Sequence, residues 1–401
     1  MNGANMRNTN IARRKFVRDV VAILGSASVA PMGSSAQVRS RQATAATKDS
    51  ADKKIDYDKF AKLANNENSY GPSEAVMKAM NDAWKYANRY GYPDGGIVDA
   101  IAEHHGVKPE NIILGCGSSE ILKIVDDAFL PDHKLVIGVD PTYETVYRYT
   151  TNSKAKAIAI PLTKTYDADM HAIIRATKLN ARDVGLVYIC NPNNPTGRIV
   201  PKQDIKLLLN SIPEDITVFI DEAYHHFVDD PNYEPCIKYV MEGRKVIVAR
   251  TFSKIAGLAG MRLGYAVATP EIIELLKPLV VSYNTNAVVK YGGAAALKDT
   301  AHEAKMKQLN KQVRDKTMNE LRAMGYELIP SQTNFFMVNV KTDVTPVGKE
   351  FEKREILVGR KFPPMNEWLR VSVGTEDEMN RFMKAFKEIL SNKKTETRSD
   401  A

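Results

Sequence analysis

Gly185-Leu-Val-Tyr-Ile-Cys-Asn-Pro-Asn-Asn-Pro-Thr-Gly197 joins a short apolar run to a segment of asparagine and proline. The run Gly185–Ile189 is continuously apolar and too short for an ordinary helix, so it reads as a strand buried on both faces. The Asn-Pro segment that follows is the kind of punctuation that ends a strand. Alone it would be a turn. Its neighbours give it more weight, because Asp221-Glu-Ala-Tyr224 ends the next run, Ile216–Ile220, and Thr251-Phe-Ser-Lys254 follows the one after, Val246–Ala249. Three successive strands therefore deliver polar side chains at their carboxyl ends, where open α/β sheets bind ligands.

Working outward, the runs Leu135–Val139, Ala157–Ile160 and Leu263–Ala268 alternate with helical patterns. That alternation predicts an α/β fold with a mostly parallel central sheet buried on both faces and flanked by helices. Residues 271–325 hold no strand run. Glu271–Leu279 and the long charged stretch Ala295–Met324 read as helix, the latter bridging to a second domain. Thr333–Val340 and Trp368–Val373 read as strands of a smaller α+β C-terminal unit, closed by the helix Glu376–Leu390, and no internal repeat is visible. The expected organisation is an N-terminal arm over 55–84 that joins the small domain, a large domain over 85–290, a small domain over 291–392 and a frayed polar tail over 393–401.

The chain has 401 residues, 44% apolar and 26% charged, which excludes a disordered protein and is enough for two core-bearing domains. Cys116, Cys190 and Cys236 lie far apart with no CxxC pair, so neither a disulfide framework nor a zinc site is indicated and partly buried thiols are expected. The formal charge of +8 does not describe a nucleic-acid surface. Half of it sits in residues 1–36, where Arg7, Arg13, Arg14, Lys15 and Arg18 face Asp19 alone, and no basic tract interleaved with aromatics follows. Paired arginines ahead of a modest apolar run, Val20–Ala30, and small residues at Ser34-Ser-Ala36 resemble a twin-arginine signal peptide over 1–36. The run is too short to span a bilayer, so no stable membrane anchor is expected. Residues 37–54 are polar and aperiodic, a linker. The address implied is periplasmic or secreted, by way of the twin-arginine export machinery; a cytoplasmic location is the alternative.

A pocket built from these strand ends has a definite chemistry. A desolvated lysine such as Lys254 can form a Schiff base with an aldehyde, and Asp221, one strand away, can keep a ring nitrogen protonated. Asn194 and Tyr224 can bond a phenolic oxygen, while Ser253 and Arg262 can bind a phosphate. Those are the requirements of pyridoxal 5'-phosphate.

With these motifs in order, the chain resembles a fold-type I pyridoxal-phosphate aminotransferase of the histidinol-phosphate aminotransferase-like group, from about Asn65 to Thr375. The resemblance implies that Lys254 carries the cofactor as a Schiff base and shuttles the proton, with Asp221 and Tyr224 beside it. It also implies that Gly117, Ser118 and Ser119 add to the phosphate site at a helix N-terminus, that Tyr143 stacks on the ring, and that Tyr92 reaches the phosphate across a dimer interface. For the substrate it implies a two-pronged contact of Arg370 with a carboxylate, a polar contact from Asn334, and Tyr70 and Arg360 nearby. The partners implied are an amino acid and a 2-oxo acid, in a homodimer with shared active sites, without nucleic acid. Tyr283-Asn284 lies where the family sends a tyrosine to the neighbouring subunit. Three departures stand out: Asn66-Glu67-Asn68-Ser69 where the family often has Asn-Glu-Asn-Pro, Cys116 and Ser119 where Asn and Asp are common, and Arg360 one place later than the arginine that binds a substrate phosphate.

The activity expected is transfer of an amino group between an L-amino acid, or a histidinol-phosphate-like amine, and a 2-oxo acid. A lyase or decarboxylase of the same fold is the alternative, as are a cytoplasmic histidinol-phosphate aminotransferase and a non-catalytic binding protein. Export favours an amino acid outside histidine biosynthesis. The paired histidines His104-His105 and His225-His226 cannot both face one site, although one of the second pair could line the pocket wall.

Overall fold

The computed structural model describes residues 56–131, 133–152 and 155–399. The signal and linker expected over 1–54 lie outside the described residues. The chain enters through β1 (Ala61–Leu63), α1 (Glu74–Ala83) and α2 (Ile97–His105). Ser73 caps α1 by accepting the Val76 N–H, one of the donors a helix start leaves unpaired.

A seven-stranded sheet follows, with a helix after most of its strands. In chain order it runs β2 (Ile112–Gly115), α3 (Ser118–Phe129), β3 (Leu135–Asp140), α4 (Thr145–Asn152), β4 (Lys156–Pro161) and α5 (Met170–Leu179), then β5 (Val184–Cys190), α6 (Lys202–Ser211), β6 (Thr217–Asp221), α7 (Ile237–Met241), β7 (Val246–Thr251) and β8 (Gly264–Val267). The spatial order is β2-β8-β7-β6-β5-β3-β4. Strands β3 to β7 pair in parallel, and β8 runs antiparallel to both β7 and β2. The α/β expectation is thus met, with one strand reversed.

Strand alternation divides the apolar side chains between two cores, one on each face. Val187, Ile189, Val218, Ile220 and Val248 pack on one side, and Leu186, Tyr188, Phe219, Ile247 and Ala249 on the other. Burial on both faces does not extend to the edge. Strand β4 is largely exposed, because an edge strand with nothing beyond it has no second layer to bury its alternate residues.

The chain then forms α8 (Pro270–Leu276), α9 (Ala287–Lys298) and α10 (Thr300–Ala323). The single helix read over Ala295–Met324 is in fact two, broken at Asp299. That residue ends α9 and turns its carboxylate to the His302 N–H as the cap of α10. The remaining elements are β9 (Leu328–Ile329), β10 (Phe335–Asn339), α11 (Val344–Glu352), β11 (Ile356–Val358), β12 (Trp368–Ser372) and α12 (Glu376–Ser399). An antiparallel sheet β12-β10-β9 and the helices around it enclose a core of Phe336, Val338, Phe351, Leu369, Phe382 and Phe386. Strand β1 joins this part of the chain by pairing in parallel with β11, Ala61 opposite Ile356. The tail expected to fray from 393 is helical through Ser399, as its Lys, Glu and Arg content permits. Among the described residues no helix is long and apolar enough to cross a membrane.

Candidate active site

The carboxyl ends of β3, β5, β6 and β7 open into one cavity of about 610 Å³. Tyr143, Asn194, Asp221, Tyr224, Ser253, Lys254 and Arg262 all line it, and Arg360 and Arg370 reach it from the C-terminal part of the chain. The Asn191–Gly197 segment is no exposed turn. All seven of its residues are buried, and it is tied down by Gly197 N–H to Asn193 O at 2.7 Å, Asn193 N–H to Arg198 O at 2.8 Å and Thr142 Oγ1 to Asn193 Oδ1 at 2.6 Å.

One end of the cavity is an anion cradle. Helix α3 starts at Ser118, so Ser118 and Ser119 present its N-terminus to the cavity. Gly117, the residue before the helix, has φ of +73°, and a Cβ there would lie 2.0 Å from an Arg262 guanidinium nitrogen. Only glycine lets that side chain lie against the helix start. Arg262 Nη1 donates to Ser253 Oγ at 3.3 Å and to Ala259 O at 3.0 Å, fixing a cation beside the serines.

Lys254 occupies the middle. Its Nζ donates to Asn65 O at 3.0 Å and sits 5.6 Å from the Tyr224 ring centre. Burial first and the Arg370 guanidinium second draw its pKa down to about 8, against the opposing pull of Glu67 and Asp221. Asp221 is 2% exposed. It accepts the Ala223 N–H at 3.1 Å and stands 3.5 Å from the Tyr188 hydroxyl, and burial pushes its carboxyl up to about 6. No ion pair involving it is present among the described residues.

The other end is built around Arg370, which is 7% exposed and so no surface strand residue. Its Nη1 donates to Asn194 Oδ1 at 2.6 Å and its Nη2 to Ala64 O at 2.5 Å, while its buried Nε has no partner among the described residues. Burial draws its pKa down to about 10. The Phe362 ring is in reach of both guanidiniums, 4.7 Å from that of Arg370 and 4.3 Å from that of Arg360. Arg360 in turn pairs with Glu144 at 2.9 Å.

Other expected residues lie elsewhere in the chain. Tyr92 is outside this cavity; its hydroxyl donates to Thr285 O at 2.9 Å, and it borders a separate hollow with Tyr283, Asn284 and Lys290. Tyr283, 71% exposed, leans on Tyr90, and Asn284 bonds Glu120. Tyr70 is 41% exposed and sits at a small crevice with Asn334 rather than in the cavity. Asn334 holds the arm instead, donating to Asn66 O at 3.0 Å and Glu67 O at 3.3 Å. Neither His225 nor His226 lines the pocket, contrary to the expectation for one of them. Both are packed behind it, where burial and Arg250 hold their pKa values well down.

Asn66, Glu67, Thr142, Val358 and Phe362 also stand in the cavity wall, and no strand-end motif marks them as site residues. The Asn65-Asn66-Glu67-Asn68 cluster was a usable signal, because Asn is the side chain that most readily takes a left-handed backbone, as Asn66 does with φ of +57°. Among the described residues no group of three His, Cys, Asp or Glu could hold a metal. Cys190 and Cys236 are buried, Cys116 is partly buried, and none is in a disulfide.

The side chains present fit pyridoxal phosphate. They supply an amine of lowered pKa, a buried carboxylate short of a partner, two donors for a phenolic oxygen, an aromatic wall and an anion cradle. Comparison with known proteins agrees. The family described as aminotransferase class I and II matches residues 58–386. The chain is 36% identical over 337 residues to the histidinol-phosphate aminotransferase of Moorella thermoacetica, covering 82% of this chain and 85% of that one. It is 37% identical over 346 residues to the enzyme of the same name from Caldicellulosiruptor saccharolyticus, covering 84% and 94%. In structure it is similar to the histidinol-phosphate aminotransferase of Sinorhizobium meliloti in complex with pyridoxal 5'-phosphate, with TM-score 0.77 and 25% identity over 83% of this chain and 91% of that one.

Proposed function

The chain belongs to the class I and II aminotransferase family and is a pyridoxal-phosphate-dependent aminotransferase; we propose that the Lys254 cavity moves an amino group between an L-amino acid, or a histidinol-phosphate-like amine, and a 2-oxo acid. One observation carries the assignment of residues: Lys254, Asp221, Asn194, Tyr224, Arg262 and Arg370 converge on one cavity although they come from four segments far apart in the chain. When bound, the cofactor supplies an electron sink for the bonds at the substrate Cα.

The residues do the rest. Lys254, with a pKa near 8, keeps an unprotonated fraction at neutral pH, so its Nζ can take the Cα proton and return it to the carbon that receives it. Asp221 stabilises a cationic ring nitrogen, a partner its buried carboxylate otherwise lacks. Ser118, Ser119, Ser253 and Arg262 would hold the phosphate, and Tyr143 would offer its ring to that of the cofactor. Arg370, which lines the cavity, takes the substrate carboxylate in a two-pronged contact. Arg360, held by Glu144 at the same wall, faces the far end of the substrate.

The test is the absorbance of the purified protein and its response to single amino donors without an acceptor. A visible Schiff-base band that one class of donor bleaches is the expected result. Lys254→Ala should lose the covalent band and at least ~10⁴-fold in kcat, because base and anchor go together. Retention of wild-type turnover by this variant would overturn the reading.

Two wider proposals rest on separate features. The exposed Tyr90 and Tyr283 beside Tyr92 support a homodimer in which Tyr92 serves the partner's site, checked by the mass in solution. The paired arginines and apolar run of residues 1–36 support export by the twin-arginine route to the periplasm or beyond, checked by cell fractionation.

A further inference from the structure

Asn66 is 1% exposed, stands in the left-handed backbone region with φ of +57°, and touches three parts of the site at once. Its backbone N–H donates to Ser372 Oγ at 2.8 Å, and its carbonyl accepts Asn334 Nδ2 at 3.0 Å. Ser372 Oγ, already an acceptor of that N–H, donates its proton to Asn66 Oδ1 at 2.8 Å. The amide is thereby oriented: its oxygen is taken by the serine, so Nδ2 faces Tyr224 and donates to the phenol oxygen at 3.0 Å.

The consequence lies in the hydrogen-bond inventory of a phenol, which has one proton to donate and two acceptor positions. Asn66 Nδ2 fills one of the acceptor positions, and Asn194 Nδ2 approaches the other at 3.4 Å. An amide NH₂ cannot accept, so the Tyr224 proton turns away from both. Each donated bond also makes the phenol a better donor in its turn. Ser372 stands two residues beyond Arg370 on β12, on the same side of the strand, so one short strand sets both the carboxylate-binding guanidinium and the residue that aims the tyrosine.

We propose that Asn66 is a positioning residue that holds the Tyr224 hydroxyl proton directed into the cavity, onto the phenolic oxygen of the bound cofactor. This rests on the aminotransferase reading for the identity of that oxygen. A donor at Tyr224 competes for the electron pair with which the phenolic oxygen holds the proton of the Lys254 nitrogen. Weakening that donor lets the proton remain to higher pH.

The experiment is a pH titration of the visible band of the holoenzyme. Asn66→Gly keeps the left-handed backbone and removes the amide. It should raise the titration midpoint by about 0.5–1 unit, the scale of one hydrogen bond. Asn66→Asp keeps the shape and the bond to Ser372 but replaces the donor by an acceptor that captures the Tyr224 proton, so it should raise the midpoint further. A purely structural role predicts the reverse order, with the isosteric variant near wild type. In a Tyr224→Phe background Asn66→Gly should add no shift. Ser372→Ala, which frees the amide to turn over, should give a smaller rise and serves if Asn66→Gly does not fold. A wild-type midpoint in Asn66→Gly, or in Ser372→Ala where that variant serves, or an unchanged shift without the tyrosine hydroxyl, overturns the role of Asn66. Absence of any visible band in the wild-type protein would instead remove the cofactor reading beneath it.

Discussion

Asp221 and Glu222 are consecutive carboxylates at the end of β6, and the alternation of an extended chain sends them to opposite sides. Glu222 faces a finished structure. Its Oε2 accepts Arg250 Nε at 3.1 Å and Nη2 at 2.7 Å, and its Oε1 accepts the Cys236 N–H at 2.7 Å. Asp221, as deeply buried, has a backbone N–H, a distant phenol and the pull of Lys254 from across the cavity but, among the described residues, no ion pair, and burial pushes its carboxyl up to about 6. The same chemistry one residue apart is neutralised on one side and left short on the other. A buried group short of a partner costs stability, and it is where a ligand gains most by supplying that partner.

Three substitutions would break or sharpen this contrast. Asp221→Asn keeps the shape and removes the charge. It should lower kcat/KM by ~10³-fold, about the loss seen when a main electrostatic partner of a developing charge is removed, while the melting temperature of the apoprotein stays level or rises. Glu222→Gln should do the opposite, costing ~3 kcal/mol in denaturant unfolding because Arg250 is left buried without its counter-charge, while kcat/KM of the folded fraction stays within about threefold. Equal losses of activity in the two would dissolve the distinction.

A third carboxyl gives a control in which neither a partner nor a ligand is at hand. Asp126 on α3 is 1% exposed, neither of its oxygens has a hydrogen-bond partner among the described residues, and burial pushes its pKa up to about 8. With the folded pKa above the unfolded value of about 4, the native state holds the proton more tightly. Stability is then full below about pH 4 and is lost as pH rises towards 8. Asp126→Asn should stabilise the protein by ~2 kcal/mol at pH 8 and by little at pH 4. A stabilisation independent of pH would show that ionisation is not its source.

What the sequence disclosed and what it hid follow from distance along the chain. The Asn194, Asp221, Tyr224 and Lys254 side chains each sit within a few residues of an apolar run, so a strand and its terminus could be recognised together. Arg262 and Arg370 were legible for the same reason. The N-terminal wall of the cavity was not. Asn66 meets Tyr224 across 158 positions and Ser372 across 306, and nothing in a local window records such a contact. Strand β1 is three residues long, as is β11, too short for periodicity to mark either. Asn334 reads from the sequence as a substrate contact, whereas its amide donates to the arm backbone at Asn66 O and Glu67 O. The edge position of β4 escaped because an apolar strand reads alike at the centre and the margin of a sheet.

The pairing of Ala61–Leu63 with Ile356–Val358 also sets a timetable for synthesis. Translation runs from the amino end, so the segment bearing Asn66 leaves the ribosome nearly 300 residues before the strand that receives it. The sheet that ends in Lys254 can assemble in the meantime from contacts of shorter range. Closure of so large a loop is slow compared with local folding, so the catalytic pocket is finished last, when the nascent chain is almost complete. An arm without its dock in that interval would be a natural client for chaperones.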